Sequence, residues 1–342
     1  MADFASSFRI GGRPVGGGAP VLVIAEAGVA HFGDPDKADA LVDLAADAGA
    51  DVFKTQAFVT DRLVSSHLEE WRDRLRPKEV SFEFLCRMKD RCHDRGILFM
   101  CTAHDEKALD WVDDLDVPAY KIGSGERGNS PYLREIAQRG KPVILSTGMY
   151  REEDIGEALE TFGDAGCREL AILHCVTSYP TPIDQVNLRV MDRVREMFPG
   201  PVGYSDHTEG GQTVLAAVAR GADIVEKHIT LDFDVPNAQD WKVSAGPDDL
   251  PDLVRRLREV EAMLGEYRIE VQDCERPALD WALKSLVATR DLPAGTVLEP
   301  DMVTAKRPGG GLPPSEMNSI LGRRLTIAVG ADQTITRDSL SL

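Results

Sequence analysis

Two stretches, Val202-Gly203-Tyr204-Ser205-Asp206-His207 and Asp223-Ile224-Val225-Glu226-Lys227-His228, share one pattern. Each is a short apolar run that stops on hydroxyl, carboxylate and imidazole groups. An amphipathic stretch lies between them and stops at Gly221. A buried strand followed by a helix that covers it reads this way. Working outward, the same unit recurs. The apolar runs are residues 21–25, 51–54, 97–101, 119–122, 142–145, 170–174, 202–204 and 223–225. Among the intervening stretches, Ala38, Leu41, Val42, Leu44 and Ala45 form one apolar stripe. Leu85, Met88 and Cys92 form another, and Leu253, Leu257, Val260 and Leu264 a third. Gly49, Gly96, Gly140 and Gly221 stand where such helices stop.

Strand–helix units in series imply a parallel sheet, because parallel neighbours need crossover connections. Eight of them close a (β/α)8 TIM barrel. An open doubly wound sheet is the alternative, but no GxGxxG turn follows the first run. After Gly265 the pattern changes. Residues 266–275 read as a linker, and residues 276–342 as a small β-rich domain with strands at 285–288 and 325–329. The expected domains are thus a barrel over residues 1–265 and a cap over 276–342.

The predicted strand ends carry chemistry in succession. They hold Glu26 and His31; Lys54 and Gln56; Thr102, His104 and Asp105; Lys121, Ser124 and Glu126; Ser146 and Thr147; His174 and Tyr179; Ser205, Asp206 and His207; and Glu226, Lys227 and His228. Active sites of TIM barrels gather at this face. His207 and His228 close neighbouring strands, and two neutral imidazoles there suit a divalent transition ion. Two structural histidines, each hydrogen-bonded in place, is the competing reading. Lys54 and Lys121 end apolar runs, so each needs a buried anion, either a substrate phosphate or carboxylate or a partner such as Glu26 or Glu126. Glu26 and Glu126 are the candidate acid–base carboxylates.

The formal net charge is −18, from 39 basic and 57 acidic side chains. That excludes a basic nucleic-acid footprint. It also makes any lysine at a strand end conspicuous. No long apolar run suggests a membrane span. Met1-Ala2-Asp3-Phe4 does not open a secretion signal, so a cytoplasmic location is expected. The cysteines at 86, 92, 101, 167, 175 and 274 form no CxxC pair and read as free thiols.

Taken together, the motifs resemble the sialic acid synthase family, with its legionaminic and pseudaminic acid relatives. The resemblance is carried by Ile24-Ala25-Glu26-Ala27-Gly28, Lys54-Thr55-Gln56 and Lys121-Ile122-Gly123-Ser124-Gly125-Glu126. It continues through Lys141 to Met149, Tyr179-Pro180-Thr181-Pro182, Ser205-Asp206-His207-Thr208 and Glu226-Lys227-His228-Ile229-Thr230. The tail is similar to that family's antifreeze-like cap, a β-clip fold, through Lys306-Arg307-Pro308-Gly309-Gly310-Gly311 and Leu321-Gly322-Arg323.

The resemblance implies condensation of phosphoenolpyruvate with an open-chain N-acetylated amino sugar. Lys54, Thr102, Lys121, Ser124, Ser146 and Tyr179 would hold phosphoenolpyruvate. Glu26, Gln56, Glu126 and Asp240 would face the sugar or water. A divalent ion, manganese foremost with magnesium or cobalt as alternatives, would sit on His207 and His228. A homodimer would place the cap, with Lys284 and Arg307, over the partner's barrel. Ala30, Phe32, Thr177 and Trp241 depart from the family pattern around the sugar. The aromatic at Phe32 leads to the expectation of a 6-deoxy, diacetamido-type acceptor.

Overall fold

A computed structural model describes residues 3–238 and 240–341. The chain divides into two compact units that meet between Gly265 and Glu266. In the first, β1 (Ser7–Ile10) and β2 (Arg13–Gly16) form an antiparallel hairpin. Eight strands then alternate with helices: β3 (Leu22–Gly28), β4 (Val52–Ala57), β5 (Leu98–Ala103), β6 (Tyr120–Ile122), β7 (Val143–Ser146), β8 (Leu170–Cys175), β9 (Val202–Asp206) and β10 (Ile224–His228). They form a closed barrel in sequence order, all parallel, with β10 pairing β3 to complete it. The predicted TIM barrel is therefore present, with each strand within a few residues of its expected place.

Two apolar layers hold the barrel. The outward faces of the strands pack on the helices through residues such as Val23, Phe53, Ile122, Leu145, Tyr204 and Val225. The inward faces, among them Leu22, Ile24, Val52, Met100, Ile144, Leu173 and Ile224, fill the interior. Strand side chains alternate between the two sides, so the pleat decides which polar residues reach the mouth. The hairpin escaped the sequence reading. Its Phe8, Ile10 and Val15 join the interior layer and floor the barrel. Gly11 and Gly12, both at positive φ, make the two-residue turn that the strand twist favours.

The helices stop where glycines were expected to stop them. Gly49, Gly96, Gly140 and Gly221 all take positive φ just past a helix. Helices Pro35–Asp47 and Phe82–Arg95 are further joined by a ladder of ion pairs, Asp39 with Arg87, Asp43 with Arg91 and Asp47 with Arg95.

The second unit differs from expectation in detail. The boundary falls at the start of the expected linker, and residues 266–275 are exposed throughout. A helix, Arg276–Ala282, precedes its first strand; with no fully buried residue it leaves no apolar period to read. Strand β11 (Ser285–Ala288) lies where predicted and pairs with β12 (Val303–Lys306). Residues 325–329 do not form a strand. Leu325 bridges only Leu340, and Val329 only Leu292, because the segment bends between them. Leu286, Leu292, Leu298, Leu325 and Ile335 make a separate core.

Candidate active site

The strand phase sorts the polar groups at the barrel mouth. Lys54, Gln56, Thr102, Lys121, Ser146, Ser205, Glu226 and His228 line a cavity of about 310 Å³, together with Glu26, Ser124, Tyr179, His207 and Asp240. Residues of opposite phase turn to the helices and are structural. Asp206 pairs with Lys227 at 2.7 Å and caps Thr208. Asp105 caps the helix Glu106–Asp114 by accepting from the Ala108 amide. His174 donates to the Val186 carbonyl. His31 bonds Thr55. Clefts of about 950 and 820 Å³ lie elsewhere, but neither gathers the converging lysines, carboxylates and imidazoles that this cavity holds.

The strand β3 reaches the site through a register shift between Glu26 and Gly28. Gly28 takes φ +55°, and a Cβ there would lie 3.3 Å from Asp240 Oδ2 and 3.5 Å from His228 Cε1. Glycine is thus favoured by conformation, and a Cβ would press on Asp240 and touch His228.

At the floor of the cavity lie two lysines and two glutamates. Lys54 Nζ is 2.6 Å from Glu26 Oε2 and 3.7 Å from Glu226 Oε2, and it donates to Thr102 Oγ1 at 3.1 Å. Lys121 Nζ donates to Ser146 Oγ at 2.8 Å and is 3.7 Å from Glu226 Oε1. Gln56 donates to Glu26 Oε1 at 2.8 Å. The Lys54–Glu26 contact is an ion pair outside good hydrogen-bond direction, so Glu26 Oε2 has no directed donor. Glu226 Oε2 is likewise buried without one.

Burial acts on all of these groups, and charge decides the outcome. For Glu26, burial pushes the pKa up, but Lys54, His228 and the Gln56 amide outweigh it and hold the group at about 2. For Lys54, burial pulls down and Glu226 with Glu26 prevails, so its charge is held more tightly than in water. For Lys121, burial prevails over Glu226, and Lys54 adds repulsion, so its pKa lies below the ordinary lysine value. An anion arriving between the lysines would relieve that imbalance.

Above the lysines, Tyr179 stacks on His207 with ring centroids 4.0 Å apart, and His207 and His228 lie 5.5 Å apart. His207 Nδ1 donates to the Val176 carbonyl at 2.8 Å, which leaves Nε2 as its free nitrogen. Burial, with His228 alongside, lowers the His207 pKa to about 3, so the ring is neutral near pH 7. His228 Nδ1 is buried with no hydrogen-bond partner. The two imidazoles, each with an uncommitted nitrogen, fit a divalent ion. Among the described residues no group of three or more His, Cys, Asp or Glu is placed to hold one. An ion here would complete its shell with water and substrate oxygens.

Several expectations fall elsewhere. Glu126 lies in a turn, Ser124–Glu126, outside the cavity lining, and accepts from Asn129 at 2.7 Å. Lys284 and Arg307 are exposed residues of the second unit, Arg307 lying over the Trp281 ring. Of the departures, Thr177 lines the cavity, whereas Ala30 packs on the core and Trp241 lines the 950 Å³ cleft. The Phe32 ring is covered by the Lys78 ammonium, 5.8 Å from its centroid. Glu226, Ser205, His104 and Cys175 line the cavity without having been chosen as site residues. The signal for Glu226 was its spacing of two from His228 on one strand.

Fold and cavity together define a TIM-barrel protein whose mouth gathers two lysines, two glutamates and the pair His207 and His228 in one cavity. Residues 41–268 match the NeuB family, and residues 284–341 match the SAF domain. The chain is 39% identical to an uncharacterized protein of Methanocaldococcus jannaschii, MJ1065, over 97% of its own length and 98% of the other. It is 35% identical to the N,N'-diacetyllegionaminic acid synthase of Legionella pneumophila, over 96% and 98%. The solved N-acetylneuraminic acid synthetase of Leptospira borgpetersenii matches with a TM-score of 0.76 and 33% identity, covering 82% of this chain and 97% of that one. The chain belongs to the NeuB family and carries an SAF domain. No helix among the described residues is long and apolar enough to cross a membrane.

Proposed function

We propose that this protein condenses phosphoenolpyruvate with an open-chain N-acetylated amino sugar, giving a nine-carbon 2-keto sugar acid and inorganic phosphate. The observation that carries the reading is the pair of buried lysines, Lys54 and Lys121, set in one cavity with the paired rings of His207 and His228. The names of the relatives support both the reaction and the class of acceptor.

Lys54 and Lys121, with Thr102, Ser146 and Ser124, bind the phosphate and carboxylate of phosphoenolpyruvate. Tyr179, a neutral donor packed on His207, fixes the enol ester from the side. The sugar aldehyde lies toward His207, His228, Gln56 and Asp240. His207 and His228 would hold a divalent ion, which would supply Lewis-acid polarisation of the aldehyde oxygen. Carbon 3 of phosphoenolpyruvate forms the new bond to the aldehyde carbon, whose oxygen takes a proton. Water adds at carbon 2, and phosphate leaves from that carbon. Glu26, ionised between Lys54 and Gln56, orients the water and accepts its proton. Glu226 keeps both lysines at working distance from the anion. The protein acts as a homodimer in which the SAF unit of one copy presents Arg307 and Lys284 to the other copy's barrel; their exposure and the resemblance support this.

The test is a screen of purified protein with manganese, phosphoenolpyruvate and candidate aldehydes, read by both phosphate release and 2-keto acid formation. Both products are expected in equal amounts. Phosphate released at the same rate without any aldehyde would show a phosphatase instead.

A further inference from the structure

The outward faces of the barrel strands meet the apolar helix layer through residues such as Tyr204 on β9 and Val225 on β10. Next in the same phase along these strands stand Asp206 and Lys227, direct partners in the β9–β10 register. Their side chains are 0% and 3% exposed, and Lys227 Nζ lies 2.7 Å from Asp206 Oδ2. Stability is a poor reason for an ion pair in such a place. Two apolar side chains would fill the layer without the cost of taking two charges out of water. What a hydrogen-bonded ion pair has, and an apolar contact lacks, is direction.

Here the direction is toward the histidines. Asp206 immediately precedes His207, and Lys227 immediately precedes His228. Asp206 Oδ1 accepts from the Thr208 amide at 3.0 Å and from the Thr208 hydroxyl at 2.9 Å. One carboxylate thereby ties together the residues on both sides of His207. Lys227 Nζ also donates to the Thr208 carbonyl at 2.7 Å. From the residue before His228, a single ammonium grips both neighbours of His207. Tyr204 adds a hydroxyl donor to Asp206 Oδ1 at 3.0 Å. Thr213, in the helix Gln212–Ala219, hydrogen-bonds the Thr208 hydroxyl at 3.0 Å and anchors the network to the layer behind it. The ring of His207 is steadied by the Val176 carbonyl, but His228 Nδ1 has no hydrogen-bond partner. The place of the His228 ring therefore depends on its packing and on the strand end that Lys227 holds.

We propose that the Asp206–Lys227 pair positions the two imidazoles, fixing the spacing of His207 and His228, whose ring centroids lie 5.5 Å apart, and so the geometry in which they receive a divalent ion. Neither Asp206 nor Lys227 lines the cavity, so the pair acts only through the histidines. This role rests on the divalent ion proposed above and is independent of which aldehyde reacts.

The experiment titrates chelator-stripped, full-length protein with manganese(II) alone, followed by calorimetry and electron paramagnetic resonance. Groups that orient metal ligands typically contribute about tenfold to a hundredfold in affinity. Lys227→Met is therefore expected to bind manganese about tenfold to a hundredfold more weakly than the native protein, with a changed spectrum for the bound ion. Thr208→Val keeps the ion pair but removes a hydroxyl that bonds Asp206; a loss of about threefold to tenfold is expected. Arg258→Met breaks a different pair, Arg258 with Asp51 at 2.9 Å, at the opposite end of the strands. It controls for lost stability: its melting temperature should fall while its manganese affinity stays native. Native affinity and spectrum in folded Lys227→Met overturn the proposal, and so does an equal loss in Arg258→Met. If Lys227→Met does not fold, native binding by Thr208→Val overturns it instead. If the native protein binds no manganese, or His207→Ala binds it as tightly, the ion does not sit on these histidines, and the proposed metal falls together with this role.

Discussion

Replacing Lys54 with Met removes one charge from the buried floor and leaves Glu26 behind. The side chains are 2% and 1% exposed, so neither water nor salt replaces the lost partner. Breaking a buried pair in this way costs about 3–5 kcal/mol. At about 2–4 °C per kcal/mol for a barrel of this size, melting should fall by roughly 6–20 °C. The pH dependence identifies the cause. In the native protein the Glu26 pKa, about 2, lies below its ordinary value of 4.5. Its stabilising contribution is therefore complete above 4.5 and lost as pH falls toward 2. In Lys54→Met, burial is no longer opposed by Lys54, so the pKa rises and the carboxyl takes up a proton. The deficit of the variant should then shrink between about pH 7 and about pH 4.5. Urea unfolding at both pH values measures it. The double variant Lys54→Met/Glu26→Gln should recover much of the stability but none of the turnover. A deficit under about 1 kcal/mol, or one that does not change with pH, would refute the claim that Lys54 is what keeps Glu26 ionised.

Three further outcomes are expected. His207→Ala or His228→Ala should abolish turnover and manganese binding, followed by electron paramagnetic resonance, while circular dichroism stays native; tight binding by either variant would place the ion elsewhere. Gly28→Ala should cost about 1–2 kcal/mol from its left-handed backbone and lower kcat more than its stability accounts for, because the new methyl meets Asp240 and His228; kinetics at a temperature where the variant is fully folded decide this. Arg307→Ala and His207→Ala proteins, each inactive, should regain up to about a quarter of native turnover when mixed and allowed to exchange subunits. Proven exchange with no recovery would exclude a site completed by the other copy.

The barrel was legible because each apolar run is short and each ends in polar residues, a repeat that no single substitution obscures. The site was legible to the extent that residue type and strand phase agree. Lys54, Lys121, His207 and His228 combine an unusual residue with a strand end, and all reach the cavity. His31, Asp105 and His174 sit at the same ends in the opposite phase, and phase cannot be assigned until strand limits are fixed to a residue. Glu126 is of the right type but follows a turn that carries it aside. The hairpin β1–β2 was overlooked because its strands are four residues each.

That hairpin bears on how the chain is made. Its apolar side rests on a floor assembled from strands as distant as β10, so it has nowhere to dock until the last strand has joined the first. Synthesis must run on for roughly 200 residues after the hairpin emerges, about 10 to 40 s at ordinary ribosomal speeds. Throughout that time Phe8, Ile10 and Val15 face solvent in the nascent chain. Arg9 and Arg13, exposed in the finished protein, flank them with like charge and discourage two such hairpins from pairing. A segment synthesised ahead of the whole barrel is thus among the last to be buried. The yield of folded protein should depend more on translation rate and chaperone supply than its final stability would suggest.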